Sequence, residues 1–580
     1  MTEKRQRRRI ILVCLALGLA WTGLSIRLIY LHLGDNGDLR DRVARIRTVE
    51  KDILVGRGRI LDRNGNIMAL DLALKHVFVD PKIVLDSGHS RFVIRQLARL
   101  LELDPAMVAS KVNRPERRFE FVKTFVHEDL AQQIRSMGMH GVHFEDVSAR
   151  HYPQGMLMGH ILGFSNIEGV GSAGVEQRYD RYLRGVRGLR VTEVDGRRRE
   201  VYDRRGIDIQ PQEGADVVLT VDQNLQHFVE RALDRAMTDH NAKGAWAIVQ
   251  HVRTGDILAM ASRPAFDLNE YRHSREDERL NRAIGFVYEP GSTFKVAVYA
   301  AAFNEGLIRP DQIIDCENGR WIHNGRPLRD FHPYGRLTIA DALKKSSNIA
   351  AAKVALQLGE ARLYQYLREF GVGRHTGVGL PGEEAGILNP RNRWTSLSVS
   401  RIAMGHEVAV TGLQMVNMQT ALGNGGFLMR PRIVQRVVNN RGDTVMEFKE
   451  EVLSRPVNAD AARLMCRLLS LITEPGGTGV RAKIDGYRVA GKTGTAQKPI
   501  PGGYSDDDNI ASFMGLIPAE EPQLSIIVVV DEPQPEHTGG RVAAPVFKEI
   551  AEQAVRYLDI PPVSADTANR FKALYVERPM

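Results

Sequence analysis

Three short stretches hold residues whose types and spacing suit covalent chemistry. Ser292 and Lys295 stand at i and i+3, after the turn Tyr288-Glu289-Pro290-Gly291 and at the head of an Ala-rich segment that stops at Gly306. On a helix, that spacing puts a hydroxyl and an amine on one face, about one turn apart. A serine hydroxyl is a weak nucleophile and needs a base to take its proton as it attacks. A lysine can serve as that base once burial lowers its pKa, and a helix N-terminus favours negative charge developing beside Ser292. Ser-x-x-Lys alone is common by chance, and its ordinary form is a capping serine followed by a surface lysine. Two further stretches sharpen the signal. Lys344-Lys345-Ser346-Ser347-Asn348 contains Ser346-x-Asn348, 54 residues beyond Ser292 and within a segment of helical period. Val489-Ala490-Gly491-Lys492-Thr493-Gly494-Thr495-Ala496 follows 146 residues after Ser346, at the end of a strand pattern. Together they supply a nucleophile, two amines, an amide and further hydroxyls, which is equipment for nucleophilic acyl transfer.

Such residues need a scaffold to bring them together. Val217–Val221 reads as a strand, and Asp222 as the N-cap of a helix over Gln223–Ala236. Ala245–Gln250 and Ile257–Ala261 flank Thr254-Gly255-Asp256, a hairpin signal. Tyr487–Ala490 leads into Lys492, and Leu524–Val530 is a further apolar strand. Residues 292–470, between these strand groups, are largely of helical period. Strands at both ends with helices between predict an α/β or α+β domain of about 300 residues around one sheet. Upstream, residues 34–215 are charged and irregular, with helical periods over Ser90–Leu103 and His127–Met137. The polar, turn-rich Ile207–Gly214 marks the boundary, and the chain after Ile560, opening with Pro561-Pro562, predicts a short mobile extension.

Composition sets the compartment. The 580 residues are 43% hydrophobic and 26% charged, ordinary globular usage that excludes a disordered or low-complexity chain. Three cysteines cannot make a disulfide scaffold; Cys316 and Cys466 either pair or remain as two buried thiols. The net charge is +9, of which residues 1–9 carry +4, so no nucleic-acid-binding domain is indicated. Behind that basic cluster, Ile10–Ile26 is a run of 17 uncharged residues. Arg27 can snorkel, which extends the span to Leu31. The positive-inside rule keeps residues 1–9 in the cytoplasm, makes 10–31 a transmembrane anchor, and exports the rest. Ala16, Gly18 and Ala20 offer the rival of a cleaved signal peptide, but apolar sequence continues past Trp21. His406-Glu407 begins like a zinc-protease helix but has Val410 where the second His belongs, so no metal site is supported. The Arg197-Arg198-Arg199 run reads as a solvated loop.

The order Ser-x-x-Lys, Ser-x-Asn, Lys-Thr-Gly is the set used by penicillin-binding proteins and serine β-lactamases. At this point the chain resembles a class B penicillin-binding protein of the cell-division (septal) branch, a peptidoglycan D,D-transpeptidase. Arg57-Gly58-Arg59-Ile60-Leu61-Asp62-Arg63-Asn64-Gly65, Arg150-His151-Tyr152-Pro153 and Gly174-Val175-Glu176 are similar to the motifs of its pedestal. Thr254–Met260, Glu289-Pro290-Gly291-Ser292 and Ala543-Ala544-Pro545-Val546-Phe547 are similar to those of its catalytic domain. The resemblance implies an α/β (α+β) multidomain chain: an elongated α+β pedestal over 34–215, a β-lactamase-like transpeptidase domain over 216–560 with a central antiparallel sheet flanked by helices, and an extension over 561–580.

The roles it implies follow acyl-transfer chemistry. Ser292 is acylated, Lys295 is the base, Ser346 relays a proton to the leaving amine, and Asn348 orients Lys295 and holds the substrate amide. Lys492 supplies positive charge, Thr493 and Thr495 offer hydroxyls to a terminal carboxylate, and Gly494 admits the substrate backbone. The backbone N–H groups of Ser292 and Thr495 form the oxyanion hole, worth roughly 3–4 kcal/mol per donor. No metal or organic cofactor is implied. The implied partners are a stem peptide ending in D-Ala-D-Ala, an amine acceptor, β-lactams as inhibitors, a membrane glycan polymerase and divisome proteins. The implied location is the bacterial cytoplasmic (inner) membrane, single-pass, with the catalytic domain outside (periplasmic). An elongation-type transpeptidase, a D,D-carboxypeptidase, a β-lactamase or a silent divisome scaffold are the alternatives. Glu383 and Glu384 lack the Glu-x-x-x-Asn spacing to Asn389 that a class A β-lactamase needs. The sequence departs from the division pattern at Glu407, Gly412 and His251-Val252.

Overall fold

The structure, a computed structural model, describes residues 2–33, 47–53, 55–194 and 200–576. Residues 34–46 of the expected pedestal, the Arg197-Arg198-Arg199 run and the last four residues of the extension lie outside the described residues. The chain separates into two compact units, Met1–Val55 with Val186–Gln212, and Gly56–Gly185 with Glu213–Met580.

The first unit contains the helix Thr2–Leu33 and a three-stranded antiparallel sheet in which Gly188–Val194 lies between Thr48–Ile53 and Glu200–Ile209. At 1.5 Å per residue, the apolar part Ile10–Leu31 is about 33 Å long, enough for the ~30 Å hydrocarbon core of a bilayer. Its Leu12, Leu19, Trp21 and Ile26 are exposed. Among the described residues it is the one helix long and apolar enough to cross a membrane.

The second unit is organised by a five-stranded sheet. Its strands are β1 (Gly244–His251), β2 (Ile257–Arg263), β3 (Ala490–Ile500), β4 (Gly503–Ile517) and β5 (Leu524–Asp531), in the order β2-β1-β5-β4-β3, all antiparallel. Every residue of β5 is buried, because helices cover both faces. The period-2 alternation divides the core. Ile527 and Val529 enter one hydrophobic cluster with Trp246 and Ile248, whereas Ile526, Val528 and Val530 enter another with Ala245, Ala247 and Val249.

Six helices frame this sheet: α1 (Gln223–Asp239), α2 (Lys295–Asn304), α3 (Asn348–Leu358), α4 (Gly412–Gly423), α5 (Ala459–Ser470) and α6 (Ala543–Tyr557). α1 and α6 contribute to the second cluster; α2, α4 and α5 contribute to the first. As expected, Asp222 caps α1, its carboxylate accepting from the N–H groups of Asn224 (2.9 Å) and Leu225 (3.1 Å). Lys295–Ala302 of α2 is buried all round, which marks a helix inside the domain.

The segments of this unit before and after Val186–Gln212 share a second, seven-stranded sheet. Ile60–Leu61 runs parallel to Asp216–Leu219, and the long strand Ile67–Val79 pairs antiparallel with Ile60–Leu61, Glu120–His127 and Val142–His151. Val77, Val79, Val122 and Val126 pack with Val93 and Leu97 of the helix Ser90–Leu100 in a cluster of their own.

Three expectations are corrected. Residues 292–470 are less helical than their period suggests. Ile313–Asp315 pairs with Arg336–Thr338, and Arg320–His323 with Arg326–Arg329, because turn signals break the helical period there. The polar Ile207–Gly214 is not all turn, since the strand Glu200–Ile209 runs into it. The chain after Ile560 is not a loose tail: Ala565–Ala573 is a helix, and Phe571 and Tyr575, an i, i+4 pair, are buried against the main core. Cys316 and Cys466 are separate, buried thiols.

Candidate active site

The three sequence stretches converge. Gly291–Phe294 forms a single 3-10 turn that runs into α2, so half-exposed Ser292 stands one turn ahead of buried Lys295. Ser346 is not inside a helix, as its period suggested. The helix Ile339–Lys344 ends before it, and Ser347 is the N-cap of α3, its hydroxyl accepting from the Ala350 N–H at 3.1 Å. Ser346 occupies the break with a left-handed φ of 59°, a conformation that costs a non-glycine residue about 1–3 kcal/mol. That turn aims its carbonyl and hydroxyl at one point. Lys295 Nζ donates to the Ser346 carbonyl (2.6 Å), to Asn348 Oδ1 (2.6 Å) and to Ser346 Oγ (3.3 Å). Lys492, near the start of β3, reaches the same hydroxyl at 2.8 Å. One hydroxyl thus lies between two fully buried amines.

Burial acts on both amines. Desolvation pulls Lys295 down to about 7 against a partial opposing pull from Asp330. Lys492 is held well below the ordinary lysine value, first by burial and then by the charge of Lys295. A neutral amine beside Ser346 is therefore available near neutral pH.

β3 also packs against the turn that carries Ser292. A methyl group on Gly494 would stand 2.4 Å from Ser512 Oγ and 3.0 Å from the Pro290 carbonyl, so only glycine fits there. A methyl group on Gly291 would stand 3.0 Å from the Thr495 carbonyl. The Thr493 hydroxyl bonds to that of Thr478 at 2.8 Å, and exposed Thr495 accepts from the Gly539 N–H at 3.1 Å. All eight expected residues therefore lie on three adjoining stretches: the turn leading into α2 with the first residue of α2, the break before α3 with the first residue of α3, and β3.

Comparison with known proteins agrees with this geometry. Residues 245–552 match the family described as penicillin binding protein transpeptidase domain, and residues 52–219 match penicillin-binding protein dimerisation domain. The chain is 32% identical over 574 residues to the peptidoglycan D,D-transpeptidase FtsI of Escherichia coli K12, covering 97% of this chain and 94% of that one. The chain belongs to the penicillin-binding protein transpeptidase family. It is also 31% identical over 575 residues to the probable peptidoglycan D,D-transpeptidase PenA of Neisseria meningitidis, covering 97% and 95% of the two chains. Among solved structures, penicillin binding protein 3 of Mycobacterium tuberculosis complexed with aztreonam matches with a TM-score of 0.70 and 27% identity, over 89% of this chain and 98% of that one.

This penicillin-binding protein also uses residues that no motif announced. The Asp330 carboxylate accepts from Ser347 Oγ (2.7 Å) and from the N–H groups of Asn348 (2.5 Å) and Ile349 (3.0 Å), which caps α3 where Asn348 must point. Asn348 Nδ2 donates to the Arg329 carbonyl at 2.9 Å. The departures have local partners. A methyl group on Gly412 would come within 2.8 Å of Trp246 Nε1, and His251 Nδ1 is 3.0 Å from Thr254 Oγ1 in the β1–β2 turn.

Proposed function

We propose that the chain is a serine-type D-Ala-D-Ala transpeptidase that cross-links peptidoglycan through an acyl-enzyme on Ser292. The observation that carries this reading is the Ser346 hydroxyl between the nitrogens of Lys295 and Lys492, with Lys295 one turn from Ser292. Ser292 Oγ attacks the carbonyl of the penultimate D-Ala and gives its proton to neutral Lys295. Negative charge on the carbonyl oxygen is met by the N–H groups of Ser292 and Thr495. As the intermediate collapses, the peptide C–N bond breaks, and the proton passes from Lys295 through Ser346 to the leaving D-Ala amine. An acceptor amine then attacks the ester, a peptide bond forms, and Ser292 recovers its proton. Thr493 and Thr495 hold the terminal carboxylate of the donor, while Lys492, whose expected positive charge burial disfavours, acts by donating to Ser346. A β-lactam enters the same sequence, its ring amide standing in for the scissile peptide.

The domain reading that goes with this is an anchor over 10–31, a pedestal over 34–215 and a transpeptidase domain over 216–560. The apolar helix behind a basic tail supports single-pass anchoring with the catalytic domain outside the cytoplasmic membrane. Similarity to a protein named FtsI supports a septal role, beside a glycan polymerase and divisome proteins.

The test is covalent labelling. Wild-type protein incubated with a fluorescent penicillin should carry one adduct, mapped to Ser292 by mass spectrometry, and should release D-Ala from a pentapeptide stem. Ser292→Ala should keep the same circular dichroism spectrum and lose both. Labelling that survives in this variant means the nucleophile is assigned wrongly, and fast turnover of the penicillin means a β-lactamase. Fluorescent fusions enriched at midcell support the septal role; a lateral-wall pattern argues for elongation.

A further inference from the structure

Directly before the nucleophile turn, one carboxylate ties three elements together. Glu289 Oε2 is 2.8 Å from His406 Nδ1, while Oε1 accepts from the Glu407 N–H at 3.0 Å and from the Tyr504 hydroxyl at 3.3 Å. His406 and Glu407 belong to the loop between Ile402 and β-paired Val408, and Tyr504 to the tip of the β3–β4 hairpin, where Ile500 pairs with Gly503. The rings of His406 and Tyr504 meet edge to face at 5.2 Å. Burial, reinforced by Glu289, pushes the Tyr504 phenol up to about 12, so it remains a donor at neutral pH.

The loop that Glu289 holds is tight and strained. Glu407 has a φ of 58° and Gly405 one of 83°. A methyl group on Gly405 would come within 2.2 Å of the Gly291 carbonyl, next to Ser292. Glu407 pairs with Arg401 at 2.8 Å. The bond from its N–H to Glu289 offsets part of the cost of its left-handed backbone.

We propose that Glu289 is a positioning residue for acylation, holding the 405–407 loop and the β3–β4 hairpin tip in fixed relation to the turn that carries Ser292. The inference rests on Ser292 being the acylated residue. Because β3 carries Lys492 to Thr495, a hairpin free to swing moves the carboxylate-binding groups relative to the nucleophile. A shift of about 1 Å in such an arrangement costs on the order of 100-fold in rate. The loss falls on bond formation rather than on initial binding, since Glu289 itself faces away into the clasp.

Time-resolved labelling of the full chain with fluorescent penicillin, over a range of concentrations, separates the acylation rate constant from the dissociation constant of the encounter complex. Glu289→Ala should lower the rate constant roughly 10- to 100-fold, with the dissociation constant within about threefold. Glu289→Gln keeps an acceptor for Glu407 and Tyr504 and should recover most of the rate. Tyr504→Phe removes one bond at a partly exposed site that the fold does not need, and should slow acylation by a smaller factor. Equal rate constants for wild type and a folded Glu289→Ala overturn the proposal. So does a Gln variant as slow as Ala. If Glu289→Ala does not fold, a Tyr504→Phe rate equal to wild type overturns it. Wild-type protein that gains no adduct at Ser292 defeats the transpeptidase reading itself, a result distinct from all of these.

Discussion

Desolvation favours the neutral form of both Lys295 and Lys492, with the charge of Lys295 adding to it at Lys492, and the consequence is a pH dependence whose sign is fixed. Below about 7, Lys295 is an ammonium ion and cannot take the Ser292 proton. The acylation rate should therefore rise about tenfold per pH unit up to about 7 and level off above it. A stopped-flow series with fluorescent penicillin from pH 5.5 to 9 measures this, and a flat profile removes Lys295 as the base. Stability moves in the same direction. The unfolded lysine binds a proton up to its ordinary 10.5, whereas the folded site sheds it near 7. At this residue the unfolded chain thus binds more protons between these values, so the penalty that Lys295 places on stability is absent above 10.5 and grows as pH falls towards 7. At this scale much was legible in the sequence. Ser292, Lys295, Ser346, Asn348 and Lys492 were named from three motifs in order. Asp330 and the Glu289–His406–Tyr504 clasp were not, because an isolated carboxylate has no periodicity and its partners lie up to 215 residues away.

The break that exposes Ser346 depends on how one helix begins. α3 starts on Asn348, and the positive end of its dipole faces the Asp330 carboxylate, which lies on the chain just after the Arg320–Arg329 hairpin. Asp330→Ala should cost about 1–2 kcal/mol in urea unfolding, the usual worth of a good N-cap with charge. It should also slow acylation, since Asn348 then loses the contact that fixes it against Lys295. Asp330→Asn should retain most of the stability. A variant with unchanged stability and an unchanged rate would show that Ser347 caps the helix alone. The element level also shows why prediction ran out between 292 and 470. Asp222 and the β1–β2 hairpin were legible because cap and turn residues adjoin the elements they serve. Ser346 sits in a run of helical period, and what starts a new helix just after it is a carboxylate supplied from 16 residues upstream of Ser346. Phe571 and Tyr575 similarly carry a helical spacing that only tertiary burial turns into a docked helix.

Across the second unit, the three pedestal stretches that resemble family motifs meet at one buried carboxylate. Glu176, fully buried, accepts from Arg57 Nε and Arg150 Nε, each at 2.6 Å, with Tyr152 Oη at 3.4 Å. Arg57 also reaches Asp180 at 2.6 Å, and Arg150 reaches Asp71 at 3.1 Å. Two residues beyond Arg57, Arg59 pairs with Asp216 at 2.6 Å, where Asp216–Leu219 runs alongside Ile60–Leu61 in the shared sheet. The sequence showed these motifs only as similarities; their physical basis is that one charge satisfies two buried guanidinium groups contributed by distant segments. Removing it takes the shared buried partner from both arginines and leaves Arg57 with Asp180 and Arg150 with Asp71 alone, a cost of up to about 3–5 kcal/mol. Glu176→Ala should accordingly lower the urea midpoint strongly. Because the pedestal-like and catalytic parts share one sheet and one compact unit, the transition should remain single. Loss of penicillin labelling should coincide with loss of near-ultraviolet circular dichroism, both shifted to the same lower midpoint. A variant that loses part of its structure at low urea, yet still labels at the wild-type midpoint, would show instead that the catalytic part stands without the pedestal.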